Sequence, residues 1–208
     1  MSASLTERPQ MKEGSAEIVA LAIPSGVRLV VSAEDFGRLC AVNGDLRLER
    51  TAEGVLIVMS PAGSESGSRN AELTAQLVVW ASTDGTGVAF DSSAGFTLPN
   101  GAIRAPDASW IRKERWEALS AKQRRGFAPI QPDFVVELCS PSDTFQAGSE
   151  KMREYLDNGA RLGWLIDPES GVVAVYRPDR EVETLSRPAS LSGEDVLPGF
   201  VLDLKGIF

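Results

Sequence analysis

The order of hydrophobic and polar residues predicts strands and helices that alternate along most of the chain. Strict alternation over Leu46–Arg50 is typical of a half-buried strand, and the apolar residues Val55–Met59 after Gly54 predict its partner in a hairpin. Residues Phe134–Cys139 form the most apolar of the strand patterns, which favours a central position in a sheet. The hairpin is expected as an N-terminal β-hairpin extension of the domain, whose main sheet contains residues 134–139.

Helical spacing recurs between the strand patterns. A helix is expected to begin after Ser32, whose hydroxyl can cap an acidic first turn. Further helices are expected at 70–82, 116–123 and 149–158, with a loop over Gly63–Gly67. Further strands are expected at 88–91, 95–98, 107–111, 164–166, 172–176 and 182–185. Because strands and helices are interleaved, the pattern predicts the α/β class, with a mixed β-sheet flanked by helices.

Composition excludes several kinds of chemistry. The 208 residues include no histidine and only two cysteines, Cys40 and Cys139. Ser-His-Asp and Cys-His catalysis and histidine-bound zinc are therefore excluded, and the cysteines are too few for a disulfide framework. Any catalysis must depend on carboxylates, lysine, arginine, hydroxyl groups or a thiol.

The chain is expected to form a single domain over residues 26–208, preceded by a tail at residues 1–25. Within that tail, Glu17–Ile23 is a candidate short strand or helix. The N-terminal residues lack the pattern of a signal peptide, and no apolar run approaches the roughly 18 residues that span a bilayer. A cytoplasmic protein without a membrane partner is therefore expected.

Charge is distributed unevenly along an acidic chain. The formal net charge is −8 and the sequence pI is about 4.7, which is unfavourable for general binding to polyanions. The segment Arg104–Arg125 nevertheless holds seven basic and three acidic residues, and the rest of the chain carries a net charge of −12. This segment is a candidate surface for a bound anion, because the local field matters more than the total. The alternative is an ordinary solvated surface.

Three acidic residues lie where burial is expected. Asp107 follows Pro106 at the start of a predicted strand, Glu137 interrupts the apolar strand 134–139, and Glu49 lies in the alternating strand 46–50. A buried carboxylate costs several kcal/mol unless it is paired or holds a cation. Carboxylates from adjacent strands could share Mg²⁺, which prefers oxygen ligands. The alternative is a strand-edge carboxylate paired with an arginine such as Arg104.

A second Pro-Asp pair, Pro132–Asp133, competes with Asp107. Asp133 and Glu137 share one strand face, but four residues at about 3.3 Å each separate them by roughly 13 Å. One magnesium ion with ligands at about 2.1 Å cannot bridge that distance. Asp107 and Glu137 come from separate strands and can be neighbours, so Asp107 is preferred.

Lys151 is the candidate cation for these carboxylates. It lies on the helix predicted after strand 134–139, one turn before Tyr155 and at the rim of the buried face. Its aliphatic stem can follow apolar surface while the ammonium group points toward the carboxylates. The alternative is a solvated lysine paired with Glu150 or Glu154.

These motifs together resemble the Uma family of restriction-endonuclease-like proteins, which is abundant in cyanobacteria and belongs to the PD-(D/E)XK nuclease superfamily. The resemblance rests on Pro106–Asp107, Pro132–Asp143, Glu150–Gly159, Trp164–Pro168 and the closing Leu197–Phe200, in that order. It runs from about Ser32 to the end of the chain. It implies a restriction-endonuclease-like core and metal-dependent hydrolysis of phosphodiester bonds in nucleic acid, with DNA preferred.

The resemblance also assigns roles. Asp107 and Glu137 match the metal-binding carboxylates, with the Leu138 carbonyl as a further ligand of Mg²⁺ or Mn²⁺. Lys151 matches the helix lysine, and Glu49 matches the acidic residue of the early strand, as a further metal ligand or a supporting group. The candidate residues for nucleic-acid binding are Arg104, Arg112, Lys113 and Arg115.

Two departures from the family pattern affect the expectation. The superfamily lysine commonly lies two residues after the second carboxylate, where this chain has Cys139, so Lys151 on the following helix is expected to replace it. The histidine often found near the start of the first core helix is absent, and the stretch Gly67–Asn70 lies there.

The leading hypothesis is a magnesium-dependent DNA endonuclease that acts as a homodimer, because double-strand cleavage needs two sites. The predicted edge strands 172–176 and 182–185 are the expected contacts between subunits. The acidic charge and the missing histidine favour a different class, a non-catalytic interaction or regulatory protein that retains the scaffold. A third hypothesis is hydrolysis of another phosphorylated substrate at the same metal site.

Overall fold

The structure, a computed structural model, describes residues 26–141 and 143–208. The expected tail at residues 1–25, with its candidate element at 17–23, lies outside them. The helices are α1 (Ala33–Val42), α2 (Ser64–Asp84), α3 (Lys113–Glu117), α4 (Ala121–Arg125) and α5 (Phe145–Asp157). The strands are β1 (Arg47–Arg50), β2 (Leu56–Met59), β3 (Gly87–Asp91), β4 (Phe96–Thr97), β5 (Ile103–Arg104), β6 (Ala108–Arg112), β7 (Phe134–Leu138), β8 (Leu162–Asp167), β9 (Val172–Tyr176), β10 (Glu183–Ser186), β11 (Ser190–Ser192) and β12 (Val201–Asp203).

A mixed sheet organises the fold, which confirms the predicted class. Over residues 26–141 and 143–208 this central sheet has six strands, in the order β10-β9-β8-β7-β6-β3. β7 and β8 are parallel, and the other neighbours are antiparallel. The parallel pair requires a crossover, which α5 supplies. The apolar strand β7 therefore lies inside the sheet, as predicted.

Each face of the central sheet carries its own hydrophobic core. Phe134, Val136 and Leu138 of β7 face α2 and the C-terminal segment, where Leu77 and Leu202 are fully buried. The alternate residues of the strand face the other way, because side chains along a strand point to opposite faces.

The opposite core contains α5. Val135 of β7 packs there with Met152 and Tyr155, which α5 contributes at positions three apart. The helix lies close to β8. A Cβ atom at Gly163 would be 2.9 Å from Met152 Sδ, and a Cβ atom at Gly148 would be 2.7 Å from Leu165 Cδ1. Glycine at these two positions is therefore what allows the close approach of α5 to the sheet.

The predicted N-terminal hairpin is present and belongs to a separate sheet. β1 and β2 pair antiparallel with Leu48 opposite Val58, and β1 also pairs with β5 through Arg50 and Ile103. The order of this sheet is β2-β1-β5-β4. Its residues Phe96 and Ile103 are buried, and Phe96 belongs to the core on the α5 face. The hairpin thereby brings β1 to the face of the central sheet that carries α5.

Several predicted boundaries were wrong for local reasons. The expected loop over Gly63–Gly67 is the first turn of α2, where Glu65 pairs with Arg69 one turn later. The helix expected at 116–123 is two short helices, because Ser120 caps α4 with a capping box. α5 begins at Phe145, four residues earlier than expected, because Thr144 caps it.

Within the part of the chain that the structure describes, none of the helices combines the length and the apolar character that a membrane span requires.

Candidate active site

Asp107 and Glu137 are cross-strand neighbours. Ala108 of β6 pairs with Val136 of β7, and the same register places Asp107 directly opposite Glu137. Both residues lie on the face of the sheet that carries Ile111 and α5, because they alternate with residues of the opposite core. The expected convergence of these two carboxylates is thus what the strand register produces. Their side chains are 18% and 13% exposed, respectively.

The Asp107 carboxylate is held by the main chain of β7. Its Oδ2 atom accepts a hydrogen bond of 2.9 Å from the Leu138 amide, and its Oδ1 atom lies 3.6 Å from the Arg47 guanidinium. Burial raises the pKa of Asp107 above its ordinary value, against the opposing effect of the Leu138 amide and the nearby cations.

The Glu137 carboxylate makes two contacts with α5. Its Oε1 atom accepts a hydrogen bond of 2.8 Å from the Tyr155 hydroxyl and lies 2.9 Å from Lys151 Nζ. Burial raises the pKa of Glu137 to about 7, against the opposing effect of Lys151 and with further contributions from Asp107 and Glu49. Near neutral pH this carboxylate therefore changes its charge readily.

Lys151 links the carboxylates of two different sheets. Its ammonium nitrogen lies 2.9 Å from Glu137 Oε1 in the central sheet and 2.9 Å from Glu49 Oε1 in β1. Burial alone would lower the pKa of Lys151, but the two carboxylates raise it above its ordinary value. The expectation that Lys151 points toward the carboxylates agrees with this geometry. Its alternative partner Glu154 pairs instead with Arg104.

Glu49 is fully engaged with groups of the protein. Its Oε1 atom accepts from the Ala105 amide at 3.0 Å and from Lys151, and its Oε2 atom accepts from Arg104 at 3.0 Å. Burial alone would raise the pKa of Glu49, but Lys151 and Arg104 hold it below its ordinary value. The arrangement favours Glu49 as the residue that positions Lys151, whereas the metal-ligand role suggested by the sequence stays a prediction.

The expectation that Arg104 belongs to the exposed basic surface was wrong. Arg104 is 9% exposed, and it bonds Glu49 through one terminal nitrogen and Glu154 through Nε at 2.6 Å. One buried carboxylate, Glu49, and one partly buried carboxylate, Glu154, thus hold this guanidinium inside the protein. Arg112 and Lys113 are exposed, and Arg115 is partly exposed and pairs with Asp133 at 2.7 Å.

Asp133, the competing acidic residue, takes no part in the cluster. Its Oδ2 atom accepts from the Arg112 amide at 2.9 Å, and its Oδ1 atom pairs with Arg115. It precedes β7, at the end of the strand opposite to Glu137. The preference for Asp107 agrees with this placement.

Cys139 lies just beyond β7, among the partly buried residues that pack on the α5 face. Burial raises the pKa of its thiol to about 12, and the nearby carboxylates, Asp167 first, add to the effect. The thiol is therefore neutral. Lys151, and not residue 139, provides the positive charge beside Glu137.

Sequence reasoning missed Tyr155 as a residue of the site. Tyr155 is expected to be buried from its spacing with Met152, and it is, but its hydroxyl also contacts Glu137. Its position one turn after Lys151, on the same side of the helix, was the available signal.

The site offers oxygen ligands for a divalent cation. Asp107 and Glu137 supply carboxylates, and the Leu138 carbonyl lies on the same side of β7 as the amide that bonds Asp107. Oxygen donors of this type suit Mg²⁺ and Mn²⁺. Among the described residues, no group of three or more His, Cys, Asp and Glu side chains is arranged to hold a metal ion. A cation held by two carboxylates and one carbonyl would keep water ligands, as Mg²⁺ usually does, and the metal site stays a prediction.

Comparison with known proteins identifies relatives of this fold. A crystal structure described as "a putative nuclease belonging to DUF820", from Anabaena variabilis, superposes with a TM-score of 0.66 and is 23% identical in sequence. The match covers 77% of this chain and 89% of that one, and at this identity it establishes the fold. No curated protein matches the chain. The Uma2 family, described as "Putative restriction endonuclease", matches residues 33–205, and the chain therefore belongs to this family.

Proposed function

We propose that the protein is a metal-dependent nuclease that hydrolyses phosphodiester bonds, with DNA as the substrate and Mg²⁺ or Mn²⁺ as the cofactor. Membership of a family described as restriction endonucleases supports nuclease activity. The observation that carries the proposal is the convergence of Asp107, Glu137 and Lys151 from two strands and a helix.

The metal would be held by Asp107, Glu137 and the Leu138 carbonyl. A divalent cation in such a site polarises the phosphate and lowers the pKa of an attacking water. The Leu138 amide fixes Asp107, and the Tyr155 hydroxyl fixes Glu137, so both carboxylates are oriented before any ligand binds. Such preorganisation reduces the cost of reaching the transition state.

Lys151 would supply a fixed positive charge. Because its pKa is raised by two carboxylates, the ammonium group retains its proton near neutral pH and is unsuited to act as a general base. Its expected contributions are to stabilise negative charge on the phosphate and to orient water. Glu49 would keep the lysine in place.

The exposed basic segment would contact the nucleic-acid backbone away from the reacting phosphate. Arg112 and Lys113 are exposed. The basic residues of α4 are also exposed, namely Lys122, Arg124 and Arg125. Phosphate contacts by such residues supply affinity without sequence specificity.

Plasmid cleavage tests this function. The protein should convert supercoiled plasmid to nicked or linear DNA with Mg²⁺ or Mn²⁺, and not with EDTA. Glu137→Gln should abolish cleavage, whereas Glu150→Gln, an exposed change of the same type on α5, should retain it. Cleavage in EDTA, or full cleavage by the Glu137→Gln protein, would overturn the proposal.

A second candidate function is that of a non-catalytic interaction protein on the same scaffold. The net charge of −8 and the engagement of Glu49 with two cations favour it. Failure of cleavage with any metal, while the protein still binds DNA or another macromolecule, would select this function. Cleavage of a small phosphodiester but of no nucleic acid would instead indicate another phosphorylated substrate.

Two further features belong to the proposal. A homodimer would provide two sites for double-strand cleavage. Of the two strands expected at an edge, β9 lies inside the central sheet between β8 and β10, whereas β10 is an edge strand among the described residues and could pair with a second copy. A cytoplasmic location would give the enzyme access to DNA.

A further inference from the structure

We propose that Arg47 binds a phosphate of the substrate backbone beside Asp107. This inference rests on the proposed nuclease function. Arg47 precedes Glu49 by two residues in β1, so both side chains point to the same face of that strand. Glu49 contacts Lys151 there, and Arg47 reaches Asp107. The strand therefore presents one anion and one cation to the candidate active site.

Arg47 differs from the other cations of the cluster in its free hydrogen-bonding capacity. The side chain of Lys151 is 18% exposed and that of Arg104 is 11% exposed. Each of them pairs with two carboxylates. Arg47 is 38% exposed, and its ion pair with Asp107 is long, at 3.6 Å. One terminal nitrogen also lies 3.4 Å from the Ser92 carbonyl, at the limit for a hydrogen bond.

The Arg47 Nε atom is buried and has no hydrogen-bond partner among the described residues. An unpaired donor of a charged group is costly. This atom is closed to solvent, so a ligand is expected to bind the exposed part of the Arg47 side chain, which is 38% exposed. A guanidinium presents its donors as a planar fork that matches two oxygens of a phosphate. A phosphodiester is therefore the acceptor that this geometry fits.

Space for such a ligand adjoins the guanidinium. A cavity of about 230 Å³ is lined by Arg47 and Arg104 with mainly apolar walls, which include Leu48, Ile103 and Phe127, and Asp107 is not one of its lining residues. Ser92 lines this cavity and also a second, more open cavity along α2, where the buried atoms Asn70 Oδ1 and Thr74 Oγ1 lack hydrogen-bond partners within the described ranges. Ser92 is thus common to the two cavities, and Arg47 lines the first of them.

The alternative role for Arg47 is to neutralise Asp107 alone. A phosphate contact releases bound counterions from DNA, so the loss of one such contact lowers the slope of log Kd against log salt by about 0.9. A residue that only shields a carboxylate leaves that slope unchanged. The two roles are therefore separable by measuring binding over a range of salt concentrations.

The experiment uses a short fluorescein-labelled DNA duplex, titrated with the full-length protein in EDTA, together with plasmid cleavage in Mg²⁺. Arg47→Gln should raise Kd by about tenfold at low salt. It should also lower the slope of log Kd against log salt by about 0.9, the value for one phosphate contact. Arg47→Lys should restore the slope and part of the affinity. Arg38→Gln removes an equal charge from an exposed arginine on α1 and should change neither quantity.

The outcomes separate this inference from the proposed function. If the wild-type protein cleaves and Arg47→Gln retains its Kd, KM and salt slope while its melting temperature shows a folded protein, the inference is wrong and the function stands. If the wild-type protein binds DNA with an Arg47-dependent slope but never cleaves, the function is wrong and the phosphate site stands. Absence of both binding and cleavage overturns both.

Discussion

The Tyr155 hydroxyl lies 2.8 Å from Glu137 Oε1, the same oxygen that lies 2.9 Å from Lys151 Nζ. Helix α5 therefore contacts one carboxylate oxygen twice, from residues one turn apart. A neutral donor and a cation together fix the orientation of Glu137.

Tyr155→Phe tests the neutral donor. Loss of the hydrogen bond should destabilise the protein by about 1–2 kcal/mol, since the acceptor is a buried carboxylate. It should also raise the pKa of Glu137 further, because the hydroxyl favours the ionised form. The acidic limb of the pH profile of cleavage should then move to higher pH. Tyr176→Phe, a change of the same type on β9, is the control and should leave the profile in place.

Glu137→Gln should stabilise the protein at alkaline pH. Because the pKa of Glu137 is about 7 in the folded protein against an ordinary value of 4.5, the folded state retains a proton that the unfolded state has lost between these values. The free energy of unfolding of the wild-type protein therefore falls as pH rises from about 4.5 to 7. The free energy of unfolding of the Glu137→Gln protein does not fall in this way. At pH 8 it should exceed that of the wild type by about 1–3 kcal/mol.

Urea denaturation in EDTA at pH 5 and pH 8 measures this difference, with Glu150→Gln as the control. The opposite result would be a variant that is less stable than the wild type, with a larger deficit at pH 8 than at pH 5. That result would show that the ionised form of Glu137 stabilises the protein.

Lys151→Met should abolish cleavage and also destabilise the fold by about 2–4 kcal/mol, because it leaves Glu137 and Glu49 without their shared cation. Adding Glu137→Gln to this variant should restore part of the stability and none of the activity. Thermal melts and plasmid cleavage of both proteins provide the measurement. Equal stability of the single and double variants would mean that the buried charges do not interact as the distances indicate.

Cys139→Ser should retain cleavage, because the raised pKa of the thiol, about 12, keeps it neutral near neutral pH. Cys139→Lys in the Lys151→Met background places an ammonium group on the same face, two residues after Glu137, and should recover part of the activity. If Cys139→Ser is inactive while Lys151→Met is active, the role assigned to the lysine is wrong.

Arg104→Gln should lower the melting temperature without changing the salt dependence of DNA binding, since its guanidinium is buried against Glu49 and Glu154. We expect a loss of about 2–4 kcal/mol, because Glu154 loses its cation and Glu49 retains only Lys151. Arg112→Gln should do the opposite, with unchanged stability and a lower salt slope. Identical behaviour of the two variants would contradict the division between a buried and an exposed arginine.

A homodimer in light scattering at micromolar concentration is the expected state. Thr184→Lys introduces a charge into the edge strand β10 and should weaken self-association, whereas Val201→Lys on β12 should not. A monomeric wild-type protein would remove the dimer from the proposal.

The Asp107–Glu137 pair was expected because the two residues lie on separate predicted strands that can be neighbours and because the family resemblance assigns both to one site, whereas the register that places them opposite each other comes from the pairing of β6 with β7. For Arg104 the sequence left two alternatives open, an exposed basic surface and a pair with a strand carboxylate, and the second is what the structure shows, through partners 55 and 50 residues away, Glu49 and Glu154. A basic residue in a basic segment is expected to be solvated, and only the packing of β1 and α5 against β5 reverses this.

The same distinction explains the helix boundaries. The buried stripe of α5, with Met152 and Tyr155, is visible as a spacing, whereas its start depends on a single cap by Thr144. The contact of Tyr155 with Glu137 was missed because burial in the core already accounted for this residue, although its position one turn after Lys151 placed it on the side of the helix that faces the site.

The glycines at positions 148 and 163 give this architecture a mechanical property. Their missing side chains set the height at which α5 rests on β8, since a methyl group at either point would collide with Leu165 or Met152. Lys151 and Tyr155 are carried by the same helix, so that height is also the spacing between their polar groups and Glu137. A larger residue at position 148 or 163 would therefore disturb the folding of the chain. It would also move Lys151 and Tyr155 out of alignment with Glu137.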